Sequence, residues 1–181
     1  MFSNIPAAAR GSFQNGTGFS AQLPLPATLS LGVGYQVNEQ LTLAADISHV
    51  GWSAYEALRF DFTKPVAGSN VSVSPRNYED AFIFRVGAEY QLNEKLALRG
   101  GAYYDQTPVQ DGYLTPETPD SDSRGLSTGL GYAITDNISV DASFLYINKK
   151  KRTDTAELSR SVAGTFKSTA YIPGFALNYK F

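Results

Sequence analysis

Few residues in this chain are suited to covalent chemistry. It has one histidine, His49, and no cysteine, which removes most nucleophile–base pairs and every thiolate metal site. Asp46 and Ser48 lie near His49, but adjacent residues on a strand point to opposite faces, so Ser48 and His49 cannot meet. Gly32-Val33-Gly34 stands within an alternating segment with no helix behind it, which is not a phosphate loop. Asp120 and Asp122 are two oxygen donors without the rest of a calcium cage. No enzyme activity, cofactor or metal is expected. The remaining chemistry is ionic. Asp46, Arg85, Glu89, Arg99, Asp105 and Asp141 share the polar side of the strands described below, where cross-barrel ion pairs that stabilise a lumen are the plain expectation. A sharper reading gives Arg85 and Arg99 to a ligand carboxylate, which a guanidinium binds in bidentate fashion. A cationic run, Lys149-Lys150-Lys151-Arg152, suits phosphate.

The elements that position these groups are strands. From Leu29, the residues Leu29, Leu31, Val33 and Tyr35 alternate with Ser30, Gly32, Gly34 and Gln36. The same period of two recurs from Leu41, Phe82, Leu96, Leu126, Ile138 and Tyr171. Strands are expected over roughly 2–13, 21–37, 40–63, 77–92, 95–106, 123–135, 138–151 and 166–181. That makes about eight, with 40–63 read as one long strand kinked at Gly51-Trp52-Ser53, since glycine marks a bend. Residues 1–181 are read as one unit.

Composition fits an apolar setting. Charged residues are 18% and aromatics 13%, and 15 Lys+Arg against 17 Asp+Glu leave a net charge of -2. No basic excess points to nucleic acid. No apolar run approaches the ~20 residues of a membrane-spanning helix. Mean hydropathy is only -0.21, yet an alternating membrane barrel is equally mild. Met1–Pro6 lacks the basic start and apolar core of a signal peptide, so either a leader has been removed or the chain begins within a longer protein.

A soluble barrel would show the same stripe turned inside out. Three features favour a membrane barrel. The polar face is mostly Gly, Ser, Thr and Ala with opposed charges, which suits a lumen. The connections at 38–39, 93–95 and 136–137 are short and fall at one end, while those near 64–77, 107–123 and 152–165 are long and fall at the other, as in outer-membrane barrels. The chain ends in Tyr179-Lys180-Phe181, which resembles the sorting signal read by the bacterial barrel-assembly machinery. The fold class is therefore all-β, an antiparallel transmembrane β-barrel of the bacterial outer membrane. Trp52, Tyr55, Tyr103, Tyr104 and Tyr146 are assigned to an outer aromatic girdle, and Tyr35, Tyr90, Tyr132, Tyr179 and Phe181 to an inner one. The run Lys149–Arg152 would then meet lipopolysaccharide phosphates. A monomer surrounded by outer-membrane lipid is expected.

Several stretches resemble the FadL/TodX family of long-chain fatty-acid and hydrocarbon transporters. They are Leu25–Tyr35 with Leu41–Asp46 and Trp52-Ser53, then Leu98–Val109, then Thr115-Pro116, Pro119–Asp122 and Arg124. The resemblance implies the C-terminal part of a barrel of about 14 strands, with an N-terminal hatch and early strands absent from this chain. It implies passive uptake of a fatty acid or other hydrophobic compound, the loops near 64–77 and 107–123 helping to form the outer mouth. The alternative is a small structural or engineered eight-stranded barrel without transport, too narrow for more than its own side chains or one small ligand. A third reading is a soluble lipid carrier.

Overall fold

The computed structural model describes residues 6–9, 11–12, 14, 16–155, 157–158 and 163–181. A 3-10 turn, Ala7–Ala9, precedes twelve strands: β1 Phe19–Gln22, β2 Thr28–Gln36, β3 Leu41–Val50, β4 Ala57–Val66, β5 Ser69–Pro75, β6 Ala81–Asn93, β7 Leu96–Asp105, β8 Ser123–Ala133, β9 Ile138–Lys149, β10 Arg152–Asp154, β11 Gly164–Phe166 and β12 Thr169–Tyr179. No helix among the described residues is long and apolar enough to cross a membrane, which says nothing against a crossing by strands.

Seven strands form one antiparallel sheet in the order β12-β9-β8-β7-β6-β3-β2. This is the wall. Its short connections, at 37–40, 94–95 and 134–137, all lie at one end, and the segments 51–80, 106–122 and 150–168 lie at the other. Asn38, Asn93 and Thr135 close the tight turns, each side chain accepting backbone N–H groups two and three residues on. Asx and ST turns of this kind satisfy donors that the ladder leaves free.

Register fixes the two faces. Asp46 pairs with Arg85, Arg85 with Tyr103, Tyr103 with Gly125 and Gly125 with Ile147, so these residues share one side. Phe84, Tyr104, Arg124 and Asn148 align in the same way on the other. Large apolar side chains crowd this second side and stand open, Leu31 at 75% and Phe175 at 78% exposed. Exposed apolar rows on one face, opposite a face of glycines and ion pairs, are what a sheet bounded by lipid presents. A water-soluble barrel would reverse them. The few buried apolar residues include Val50, Tyr55, Ala81, Val109 and Leu114, which gather under the long connections.

The eight-strand expectation needs correcting in three places. The stretch 40–63 is not one kinked strand. β3 ends at Val50, the chain turns through a 3-10 segment at Trp52–Ala54, and β4 and β5 leave the wall to make a separate three-stranded sheet, β1-β4-β5. β3 therefore pairs directly with β6. Gly51 marks an exit, its N–H bonded to the Ala27 carbonyl at 2.9 Å. The stretch 21–37 is likewise split, because Phe19–Gln22 pairs with β4 and only Thr28–Gln36 joins the wall. The expected strand at 2–13 is a 3-10 turn over Ala7–Ala9, and residues 1–5, 10 and 13 lie outside the described residues. Seven strands cross, and the sheet is open: β2 and β12 are its edges.

Candidate ligand recess and lumen

Two ionic networks tie the wall together on its inner side. Arg85 Nη1 donates to Asp46 Oδ1 at 2.6 Å and to Ser48 Oγ at 3.1 Å, and Ser48 meets Ser30 at 2.8 Å. This links β6, β3 and β2. Arg99 Nε donates to Glu89 Oε2 at 2.6 Å and its Nη1 to Asp141 Oδ1 at 2.8 Å. Asn178 Nδ2 closes on Asp141 Oδ2 at 2.6 Å, so the second network spans β6, β7, β9 and β12. Arg99 reaches across β8 because Gly131 lies beneath it: a Cβ there would stand 3.0 Å from Arg99 Nη1 and 2.8 Å from Asp141 Oδ1. Both arginines singled out for a ligand headgroup thus hold carboxylates of the chain itself.

The long connections form a recess of about 700 Å³ at the outer end of the lumen. Leu23, Pro24 and Leu25 lie on one side, Trp52, Tyr55 and Tyr78 on another, and Pro108 with Val109 on a third. The three rings form a cluster, Tyr55–Tyr78 at 5.3 Å and Trp52–Tyr78 at 5.9 Å between centroids. Trp52 and Tyr55 therefore stand in the recess, not on the wall's outer girdle, and Tyr55 is only 8% exposed. Leaving the strand at Gly51 turns them inward. Burial pushes the Tyr78 hydroxyl above its ordinary value, so it stays neutral. Asp105, Asp120 and Lys149 bring charge to the recess, and Lys149 Nζ is bonded to Asp120 Oδ1 at 2.5 Å.

Polar contacts interlock the walls of this mouth. Thr107 Oγ1 donates to Asp120 Oδ2 at 2.6 Å, and the Thr107 N–H to Asp122 Oδ1 at 3.1 Å. Buried Asp154 accepts the N–H groups of Gly112 and Leu114, Asn77 Nδ2 donates to the Tyr113 hydroxyl, and Glu79 N–H to the Pro108 carbonyl. Both oxygens of Asp120 and Oδ1 of Asp122 are thus engaged within the mouth. Arg76 is a residue that the sequence reading missed. It is 9% exposed, donates from Nη1 to Thr115 Oγ1 at 3.1 Å, and keeps a buried Nε with no acceptor. Nothing in its local sequence signals burial, which comes from the loop 106–122 folding over it.

The other assigned residues separate. Tyr35, Tyr90, Tyr132 and Tyr179 stand on the apolar side at the short-turn end, and Phe181 follows β12 there. Tyr104 and Tyr146 stand on the same side near the opposite end, whereas Tyr103, expected beside them, pairs with Arg85 and Gly125 and faces the lumen, because neighbours on a strand alternate sides. The basic run does not act as one patch. Lys149 enters the recess, Arg152 Nη2 pairs with Asp111 at 2.9 Å, and Lys150 and Lys151 are exposed.

An open antiparallel wall with lipid-type and lumen-type faces, and an apolar mouth, has relatives. The sequence matches the family described as outer membrane protein transport protein (OMPP1/FadL/TodX) over residues 2–181. The chain belongs to the OMPP1/FadL/TodX family. Among curated proteins it is 30% identical to outer membrane protein P1 of Haemophilus influenzae, covering 88% of this chain and 36% of that protein. It is 27% identical to the long-chain fatty acid transport protein of Escherichia coli O6:H1, covering 98% of this chain and 39% of that one. Among solved structures, a FadL homologue of Pseudomonas aeruginosa superposes with a TM-score of 0.78 at 26% identity, covering 89% of this chain and 37% of that one. The toluene transporter TodX of Pseudomonas putida superposes at 0.60 with 22% identity, covering 89% of this chain and 36% of that one, a likeness of fold. The chain thus spans well under half the length of these FadL/TodX relatives, and like them it is an outer-membrane β-barrel protein.

Proposed function

We propose that the chain is part of a channel for passive uptake of long-chain fatty acids or other hydrophobic compounds across the outer membrane. The observation that carries this reading is the apolar recess of about 700 Å³ at the outer end of the lumen. A relative named as a long-chain fatty acid transport protein and a toluene transporter of the same fold support it. A hydrophobic molecule leaving water for this recess gains about 0.8 kcal/mol per buried methylene, without covalent chemistry or an energy source. Lys149, which lines the recess, could take a ligand carboxylate only by releasing Asp120. Arg85 and Arg99 could do so only by giving up Asp46, Glu89 or Asp141.

The wall needs completion for this role. Open sheet edges are not tolerated in hydrocarbon because their N–H and C=O groups find no partner. The free edges of β2 and β12 therefore call for further strands, in keeping with the hatch and early strands that the family resemblance implies.

The test is uptake of labelled oleate and toluene by cells that lack their own hydrophobe channel and produce the full-length protein. Leu25→Glu puts a carboxylate in the recess at a position already 81% exposed, so folding should be spared. Uptake by the wild type and a fall of about tenfold in the variant are expected. A folded wild type without uptake would leave the structural-barrel alternative standing.

A further inference from the structure

The lipid-facing side of the wall carries a second recess, on the opposite face of the sheet from the mouth. Its volume is about 650 Å³, and Phe84, Ala102, Tyr104, Leu126 and Tyr146 line its apolar part. Register explains the hollow. Val86, Ala102, Leu126 and Tyr146 form one outward row, and Phe84, Tyr104, Arg124 and Asn148 the row above it. Ala102 is the small member of the lower row, so larger neighbours overhang it. A smaller polar recess of about 350 Å³ adjoins it, lined by Tyr104, Asp122, Arg124, Asn148 and Lys150.

Two cations crown this groove. Arg124 lies over the Tyr104 ring at 5.9 Å, and Lys150 follows the outward Asn148 at the same alternation. Among the described residues neither has an ion-pair partner, whereas Arg85, Arg99, Lys149 and Arg152 each hold a carboxylate. Asp122 is the one acid here, and it accepts the Thr107 N–H.

Height decides what they meet. Arg124 is eight residues from Tyr132 along β8, or ~26 Å at about 3.3 Å per residue, and ~20 Å in height after a tilt near 40°. The apolar band of such barrels is about 25 Å tall with aromatic residues at both margins. Tyr132 at the lower margin thus puts Arg124 within ~5 Å of the upper margin, which its long side chain spans, and Lys150, two positions farther along, at that margin beside the headgroups.

We propose that this groove binds a phosphorylated, acylated lipid of the outer leaflet, namely the lipid A portion of lipopolysaccharide. An acyl chain lies over Ala102 between Tyr104 and Tyr146, and a phosphate is held by Arg124 and Lys150. This rests on the wall facing lipid, but not on uptake through the mouth.

The experiment is native mass spectrometry of the full-length protein, extracted from outer membranes in mild detergent and titrated with purified lipid A. Arg124→Ser with Lys150→Ser should weaken adduct formation about tenfold. Ala102→Trp, which fills the groove and leaves both cations, should weaken it several-fold. Lys95→Ser, removing an exposed cation in the short turn at the other end of the wall, should change nothing. Dephosphorylated lipid A should bind as weakly as the double variant shows. Equal binding by the wild type and both groove variants would overturn the site. Competition by millimolar inorganic phosphate would mean a free-phosphate site, and equal adducts with phosphatidylethanolamine a non-specific apolar surface; either result defeats the proposal. Oleate uptake should be unchanged in Arg124→Ser/Lys150→Ser and lipid A binding unchanged in Leu25→Glu, which separates the two functions.

Discussion

Arg99 crosses the bare backbone of β8 to reach Asp141, and the side chains around it set what its loss would do. Removing it leaves Glu89 and Asp141 facing each other's charge with no cation between them. The group is 46% exposed, so the effect should be nearer the ~1 kcal/mol of a solvated network than the 3–5 kcal/mol of a fully buried pair. Urea unfolding of Arg99→Ala against wild type checks this, and Glu89→Gln, which keeps the Asp141 bond, should cost less. Gly125 makes a sharper case. A Cβ there would lie 1.9 Å from Tyr103 Cε1, so Gly125→Ala must displace the ring. The expected loss is about 1–3 kcal/mol, as for other overpacked sites. Tyr103→Ala should restore most of it in the double variant; additive losses would show that the ring is not what the methyl meets. Asp80 gives a pH dependence. The hydroxyl and N–H of Ser53, and then His49 at 3.2 Å, hold its carboxyl below the usual range. Its folded value lies under the ~3.9 of an unfolded aspartate, so its stabilisation is complete above that value and is lost as pH falls through the lower one. Proteolysis of the segment 51–80 should be faster in Asp80→Asn than in wild type at pH 6, and the difference should shrink as the pH is lowered past the ordinary aspartate range.

At the scale of elements, the hairpin β4–β5 is the part that the wall does not dictate. Val66 pairs with Ser69, which leaves Ala67 and Gly68 as a two-residue turn with φ of 49° and 85°. Both are left-handed, as a type I′ turn requires, and alanine is poorly suited to that region. Ala67→Asn should therefore slow hydrogen exchange in the hairpin by up to about fivefold, a gain of ~1 kcal/mol at most. Unchanged exchange would mean that the hairpin is held by β1 and not by its turn. The wall strands respond to a different constraint, because their period of two is enforced by two unlike media. β6 through β9 lie within a few residues of their expected bounds for that reason.

For the whole molecule, the assignment of faces has a direct test. Phe144 stands on the lipid side of β9 opposite Thr128, halfway between the levels of Tyr132 and Arg124, and Ala44 stands on the lumen side of β3. Phe144→Lys should cost ~2–4 kcal/mol in a bilayer refolding assay, and Ala44→Lys much less. The reverse order would turn the wall inside out and remove both the channel reading and the lipid site. The two recesses also lie on opposite sides of one sheet, one opening to the lumen and one to lipid, so a single layer of strands separates them without a core between.

The strands of the wall, their faces, their short and long ends and the charged residues of the lumen were legible in the sequence, because alternation at period two reports which medium each side chain enters. The pairing of those charges was not, since Arg99 meets Asp141 only where β8 offers glycines beneath it. Nor was the exit at Gly51. A glycine reads equally as a kink or a departure, and only the pairing of β3 with β6, which leaves β4 free to join β1, decides between them. The same event carries Trp52 and Tyr55 from the expected girdle into the mouth. Arg76 and the outward pair Arg124 and Lys150 became visible only in three dimensions, because burial under a loop and freedom from a carboxylate depend on neighbours distant in the chain. The sequence determined the medium of each face; the tertiary structure decided which groups meet there, because register and loop closure bring together residues that no local pattern links.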